Sequence, residues 1–166
     1  MHMIVDVPEH NNEICVYLSI FGDDFDPEDL TKAIGIKPTH THRKGDIFRP
    51  ESPSLRRKED AWDYNLGYVH TIDSDEISDV IEETFQGKIE VTSQFITEHS
   101  LFVKLYVVLN MDPWQTPAVG FKRSFVKMLG DLDAEIEMDI YVRGVPFKEL
   151  REAGYGGLQH KKKGDN

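Results

Sequence analysis

Residues 21–46, FGDDFDPEDLTKAIGIKPTHTHRKGD, constrain the fold most, because a strand end, a fully punctuated helix and a charged loop follow one another without a gap. Asp26 stands where an N-cap belongs and Pro27 at the first helical position. Asp29 follows three residues on, so both carboxylates sit at the positive end of the helix dipole. Leu30, Ala33 and Ile34 form the stripe to be buried. Gly35 supplies a left-handed stop, Ile36 the apolar residue that follows such a stop, and Pro38 bars continuation. Upstream, Ile14, Val16, Leu18 and Ile20 alternate with Cys15, Tyr17, Ser19 and Phe21, a run apolar on both sides that predicts an inner strand.

The same reading extends along the chain. Residues 46–60, with Pro50, Pro53 and the run Arg56, Arg57, Lys58, are too polar to bury much apolar surface and read as an exposed, mobile loop. Trp62, Tyr64, Leu66 and Tyr68 alternate with Asp63, Asn65 and Gly67, which predicts a half-buried strand with Trp62 and Tyr64 facing the core. Asp73 and Glu76 have the spacing of a capping box ahead of a helix whose inner face carries Ile77, Val80, Ile81, Thr84 and Phe85. Residues 88–100 fit either period, and the helical one is preferred; 101–109 are almost wholly apolar and predict the central strand. A helix carrying Phe121, Phe125, Met128 and Leu129 follows. Ala134, Ile136, Met138, Ile140 and Val142 then alternate with Glu135, Glu137, Asp139 and Tyr141, predicting a strand with one wet, acidic face. Residues 146–153 read as a short helix.

Two stretches, beginning at Ile14 and Leu101, share an outline of apolar strand, Asp-Pro, helix, glycine and second strand. A duplicated βαβ unit of that kind closes as an α+β sandwich with helices on one face of a mixed or antiparallel sheet, and a ferredoxin-like arrangement is the expected form. The expected organisation is an extension over residues 1–12, one α+β domain over 13–153, and a flexible glycine- and lysine-bearing tail over 154–166.

Composition excludes several classes of function. A net charge of −11 and a pI near 5.0 disfavour nucleic acid, whose phosphates demand clustered Lys and Arg, and favour a partner with a basic surface. Cys15 is the one cysteine, so an intramolecular disulfide is ruled out and the thiol reads as an inert core group. The opening residues lack a signal-peptide pattern and no apolar run approaches the roughly 20 residues that span a bilayer, so a soluble, cytoplasmic protein with no membrane partner is expected.

Gly22-Asp23-Asp24, Asp26-Pro27-Glu28, the helix to Gly35-Ile36, Lys37-Pro38-Thr39 and Arg43-Lys44-Gly45-Asp46 together resemble a bacterial family catalogued as domain of unknown function 4279. Trp62 and Met138-Asp139-Ile140-Tyr141 continue the resemblance, which covers most of residues 14–142. It implies a fold and a compartment and brings no established activity.

Candidate functional residues fall into four groups. His40 and His42, two apart, would face one side of an extended strand and could share a metal, with Asp23, Asp24 or His99 as the third ligand; two ligands alone do not make a site. Asp23 and Asp24, left over once Asp26 and Asp29 are assigned to the helix start, could anchor Arg43 and Lys44 by ion pairs. Trp114, in a proline-flanked loop, is a candidate contact residue. Glu135, Glu137 and Asp139 form the acidic strand face. Ser19, Ser52, Ser54 and Cys15 sit in no nucleophile motif, and 154–157 lack the context of a phosphate loop, so no catalytic residue and no cofactor is assigned. The expected function is a non-catalytic protein-binding module, such as an immunity-type inhibitor. The alternatives are a small-ligand or metal-dependent enzyme built around Asp23, Asp24, His40, His42 and Arg43, and a structural or regulatory subunit.

Overall fold

The computed structural model describes residues 11–113 and 116–144. The expected short helix at 146–153, the tail and Trp114 lie outside the described residues. Strand β1 (Glu13–Gly22) leads into helix α1 (Pro27–Ile34) and the short strands β2 (His40–His42), β3 (Ile47–Arg49) and β4 (Ser52–Arg56). After these come β5 (Asp60–Val69), α2 (Asp75–Phe85), α3 (Ile89–Glu98), β6 (Phe102–Met111), α4 (Arg123–Asp131) and β7 (Glu135–Val142). No described helix is long and apolar enough to cross a membrane.

Helix α1 forms as its sequence dictates. The Asp26 carboxylate accepts the Glu28 N–H at 3.0 Å, and Gly35, at φ 69°, donates its N–H to the Thr31 carbonyl at 2.9 Å. A side chain at Gly35 would have to adopt that left-handed conformation, so Gly35→Ala is expected to lower stability by about 1 kcal/mol in a urea melt. An unchanged midpoint would show that the helix end relaxes freely.

The start of α2 departs from expectation. Its N-cap is Ser74, one residue past Asp73, and the Ser74 hydroxyl donates to the Gly120 carbonyl at 2.7 Å and accepts the Gly120 N–H at 3.0 Å. The Asp73–Glu76 capping box therefore does not form. Asp73 instead accepts the Asp75 N–H at 3.0 Å, while Ser74 ties α2 to the segment entering α4. Residues 88–100 hold the helix α3, as the 3.6-residue period suggested.

The main sheet has five strands in the order β2-β5-β1-β6-β7. β1 is central and antiparallel to both β5 and β6, β2 is antiparallel to β5, and β6 and β7 are parallel. β1-α1-β2 is thus a βαβ unit split by β5, whereas β6-α4-β7 is a βαβ unit with adjacent strands. The fold is α+β with a mixed sheet. A ferredoxin-like sheet would interleave both units, and here only the first is split.

The helices cover one face. Ile14, Val16, Leu18 and Ile20 of β1 and Val103, Leu105, Val107 and Leu109 of β6 join one core with Leu30, Ile34, Ile77, Ile81, Phe85, Phe125 and Leu129. Trp62 is fully buried there and Tyr64 partly so, as alternation predicted. Strand β7 differs from expectation on its apolar side: Ile136, Met138, Ile140 and Val142 are each about half exposed, because β7 is the edge and no described element packs over them.

Residues 46–60 are not a featureless loop. β3 and β4 pair as a hairpin, closed at its base by reciprocal backbone bonds of 2.9 Å between Gly45 and Arg57 and between Arg57 and Asp46. Its side chains remain outside the core, the apolar Ile47, Phe48 and Leu55 included, with Phe48 held beneath the Arg57 guanidinium at 4.4 Å.

Candidate functional site

Alternation places on the second face of the sheet everything that the core rejects. Tyr17, Ser19 and Phe21 of β1 oppose Tyr106, Lys104 and Phe102 of β6 in register, and Asn65, Asp63 and Ala61 of β5 on the other side. No described helix lies over these residues. Tyr17 stacks on Tyr106 with centroids 4.7 Å apart, and Phe21 on Phe102 at 5.9 Å. Phe102 is 64% exposed, an unusual position for a phenyl ring on a sheet.

Beyond β6, Glu135 and Glu137 stand beside Lys104 and Tyr106, with Asp139 next along the same face. Lys104 Nζ lies 2.9 Å from Glu137 and 3.5 Å from Glu135, and its hydrogen bond to Glu137 raises its pKa. Two of the three carboxylates thus share one cation. Burial pushes the phenols of Tyr17 and Tyr106 up, as it does the Cys15 thiol, which donates to Asn65 at 3.3 Å. All three groups stay protonated at neutral pH, so none of them is a thiolate or phenolate nucleophile.

On the β2 side, His40 pairs with Asp63 and His42 with Ala61, so both imidazoles lie on the open face. His40, His42 and Asp63 each bring one ligand-capable atom within 4.8 Å of the others. The third member is Asp63, and not Asp23, Asp24 or His99. Ser19 donates its hydroxyl to Asp63 Oδ1 at 2.5 Å. His42 Nδ1 is buried without a hydrogen-bond partner among the described residues, and burial, followed by the charge of Arg57, lowers the His42 pKa. The β3–β4 hairpin overhangs this corner, closing a cleft of about 300 Å³ lined by His42, Asp63, Tyr17, Tyr106, Arg56 and Arg57.

Asp23, Asp24 and Arg43 sit apart, at the end of the sheet. Asp23 pairs with Lys44 at 2.7 Å, and that hydrogen bond raises the lysine pKa. Asp24 occupies the turn between β1 and α1 at a φ of 59°, a conformation Asp tolerates, and its charge adds to the rise in the Lys44 pKa. Arg43 pairs with Asp26 and with the nearly buried Asp60, both at 3.1 Å. Asp26 therefore both caps α1 and holds Arg43. These pairs fix the loop that carries β2 onto β5.

Sequence reasoning singled out His40, His42, Glu135, Glu137 and Asp139, and the fold gathers all five on one surface. It missed Tyr17, Ser19, Asp63 and Tyr106. The signal for Asp63 was present, since it lies between two inward aromatics and so had to face outward.

A family model, Domain of unknown function (DUF4279), matches residues 12–143. The chain belongs to that family. No curated protein and no solved structure matches it.

Proposed function

We propose that this protein is a non-catalytic binding module whose open sheet face receives a protein partner with a basic contact surface, the task an immunity-type inhibitor performs on a toxin. The observation that carries this reading is the pair of aromatic stacks beside Glu135, Glu137 and Asp139: Tyr17–Tyr106, partly buried along the cleft under the hairpin, and Phe21–Phe102, whose Phe102 ring is open to solvent. Aromatic rings supply most of the energy in protein interfaces at small entropic cost, while a flanking row of like charge steers a complementary surface into place. The net charge of −11 adds long-range attraction for a basic partner. Asp139, which Lys104 does not neutralise, is the carboxylate best placed to meet a cation of that partner.

The expected result is a basic protein that copurifies from the native host in fixed stoichiometry and binds the purified chain directly. Phe102→Ala should weaken that binding at least tenfold, and Glu137→Lys with Asp139→Lys should slow association and reduce its salt dependence. Equal binding by both variants, with circular dichroism showing them folded, would remove the open face from the interaction.

One observation favours a second reading, a small anionic ligand: the cleft beneath the hairpin sets Arg56 and Arg57 against His42. A metabolite retained by the purified chain and lost in Arg57→Gln would select it.

A further inference from the structure

We propose that His40, His42 and Asp63 form a binding site for one divalent transition-metal ion of the zinc class at the β2 margin of the open face. The inference is independent of the protein-docking reading and stands on the pairing of β2 with β5. That pairing sets His40 directly across from Asp63 and brings His42 to the same side two residues on, so strands rather than loops hold all three groups.

Their ligand atoms lie within 4.8 Å of one another. Around a zinc ion with bonds of about 2.0–2.2 Å, tetrahedral ligands stand about 3.4 Å apart, so closure of at most about 1.4 Å completes the site. His40, exposed on a three-residue edge strand, has the freedom to make it by side-chain rotation.

Two further features point the same way. His42 Nδ1 is shielded from solvent and has no hydrogen-bond partner among the described residues, an arrangement that costs free energy unless something binds. Asp63 already has the support typical of a metal-binding carboxylate: the Ser19 hydroxyl fixes Oδ1 at 2.5 Å and leaves Oδ2 to coordinate. Two imidazoles and one carboxylate suit zinc and its first-row neighbours, whereas magnesium and calcium demand oxygen donors. Three protein ligands leave a coordination position open, and because His42 and Asp63 also line the cleft, that position borders it.

The test is calorimetric titration of the untagged, chelator-treated full chain with zinc chloride. The expected result is a saturable transition at one ion per chain, with affinity about a hundredfold lower in His42→Ala and in His40→Ala. Cobalt(II) should give a visible absorption band with the wild-type chain that His42→Ala abolishes. Because His40 is exposed, His40→Ala cannot fail merely by unfolding the protein. Absence of saturable heat, or binding that neither histidine variant weakens, would overturn the site. A zinc-binding chain whose open-face variants still engage the protein partner would leave this inference standing and sink the docking one.

Discussion

Trp62→Ala is expected to lower stability by about 4 kcal/mol, within the range for truncating a large buried aromatic. Trp62 is fully buried on β5 between two layers: its ring meets Phe85 of α2 edge-on at 6.2 Å and lies alongside Tyr64 at 6.5 Å. The indole N–H donates to the Thr31 hydroxyl of α1 at 3.1 Å. Alanine would thus remove packing against α2 and leave Thr31 without its indole donor. Since single domains are stable by about 5–15 kcal/mol, the loss takes a large share of the total. Urea melts followed by circular dichroism decide it. Trp62→Phe, which keeps most of the buried area and forfeits the hydrogen bond, should cost about 1–2 kcal/mol. A loss under about 1.5 kcal/mol for alanine would mean that the helical layer holds to the sheet without this residue.

Arg43→Ala is expected to cost about 2 kcal/mol. Asp60, the first residue of β5, is 4% exposed, and its Oδ1 accepts the Lys44 N–H at 2.9 Å and faces the Arg43 Nε at 3.1 Å. Removing the guanidinium strands a nearly buried carboxylate with one backbone donor. Breaking a fully buried pair costs about 3–5 kcal/mol, and the half-exposed arginine brings the figure down. Arg43 also reaches Asp26 at the α1 N-cap, so one planar fork joins the helix start to the strand start. Lysine cannot hold both carboxylates, and Arg43→Lys should recover less than half of the loss. Lys44→Ala makes the contrast: both members of its pair with Asp23 are more than half exposed, and the expected loss is below about 1 kcal/mol. Equal losses for Arg43→Ala and Lys44→Ala would show that the burial of Asp60 carries no special weight.

The reach of each interaction along the chain governs how legible it is in the sequence. Residues 21–46 declared α1 and both its ends, because a cap, a proline and a glycine act within one turn. The inward placement of Trp62 and Tyr64 and the outward placement of Glu135 and Glu137 followed from the two-residue period of a strand. The same local logic failed at Ser74, whose hydroxyl answers to Gly120, and in residues 46–60, where backbone pairing builds a hairpin with no apolar core. Nor could alternation say that β7 stands at an edge, which is why its apolar row was expected to be covered and is half exposed.

The chain's own sequence determined the elements, the two faces of each strand, the solitary buried thiol and the acidic character of β7, because each rests on residues within a few positions of one another. Tertiary structure alone decided which faces meet. The order β2-β5-β1-β6-β7 brings His40 and His42 to Asp63, Ser19 to Asp63, Tyr17 to Tyr106 and Lys104 to Glu137. Those partners lie across strand pairings that no local pattern encodes, since a strand's period fixes the side on which a residue stands and leaves its neighbour to the register of the sheet.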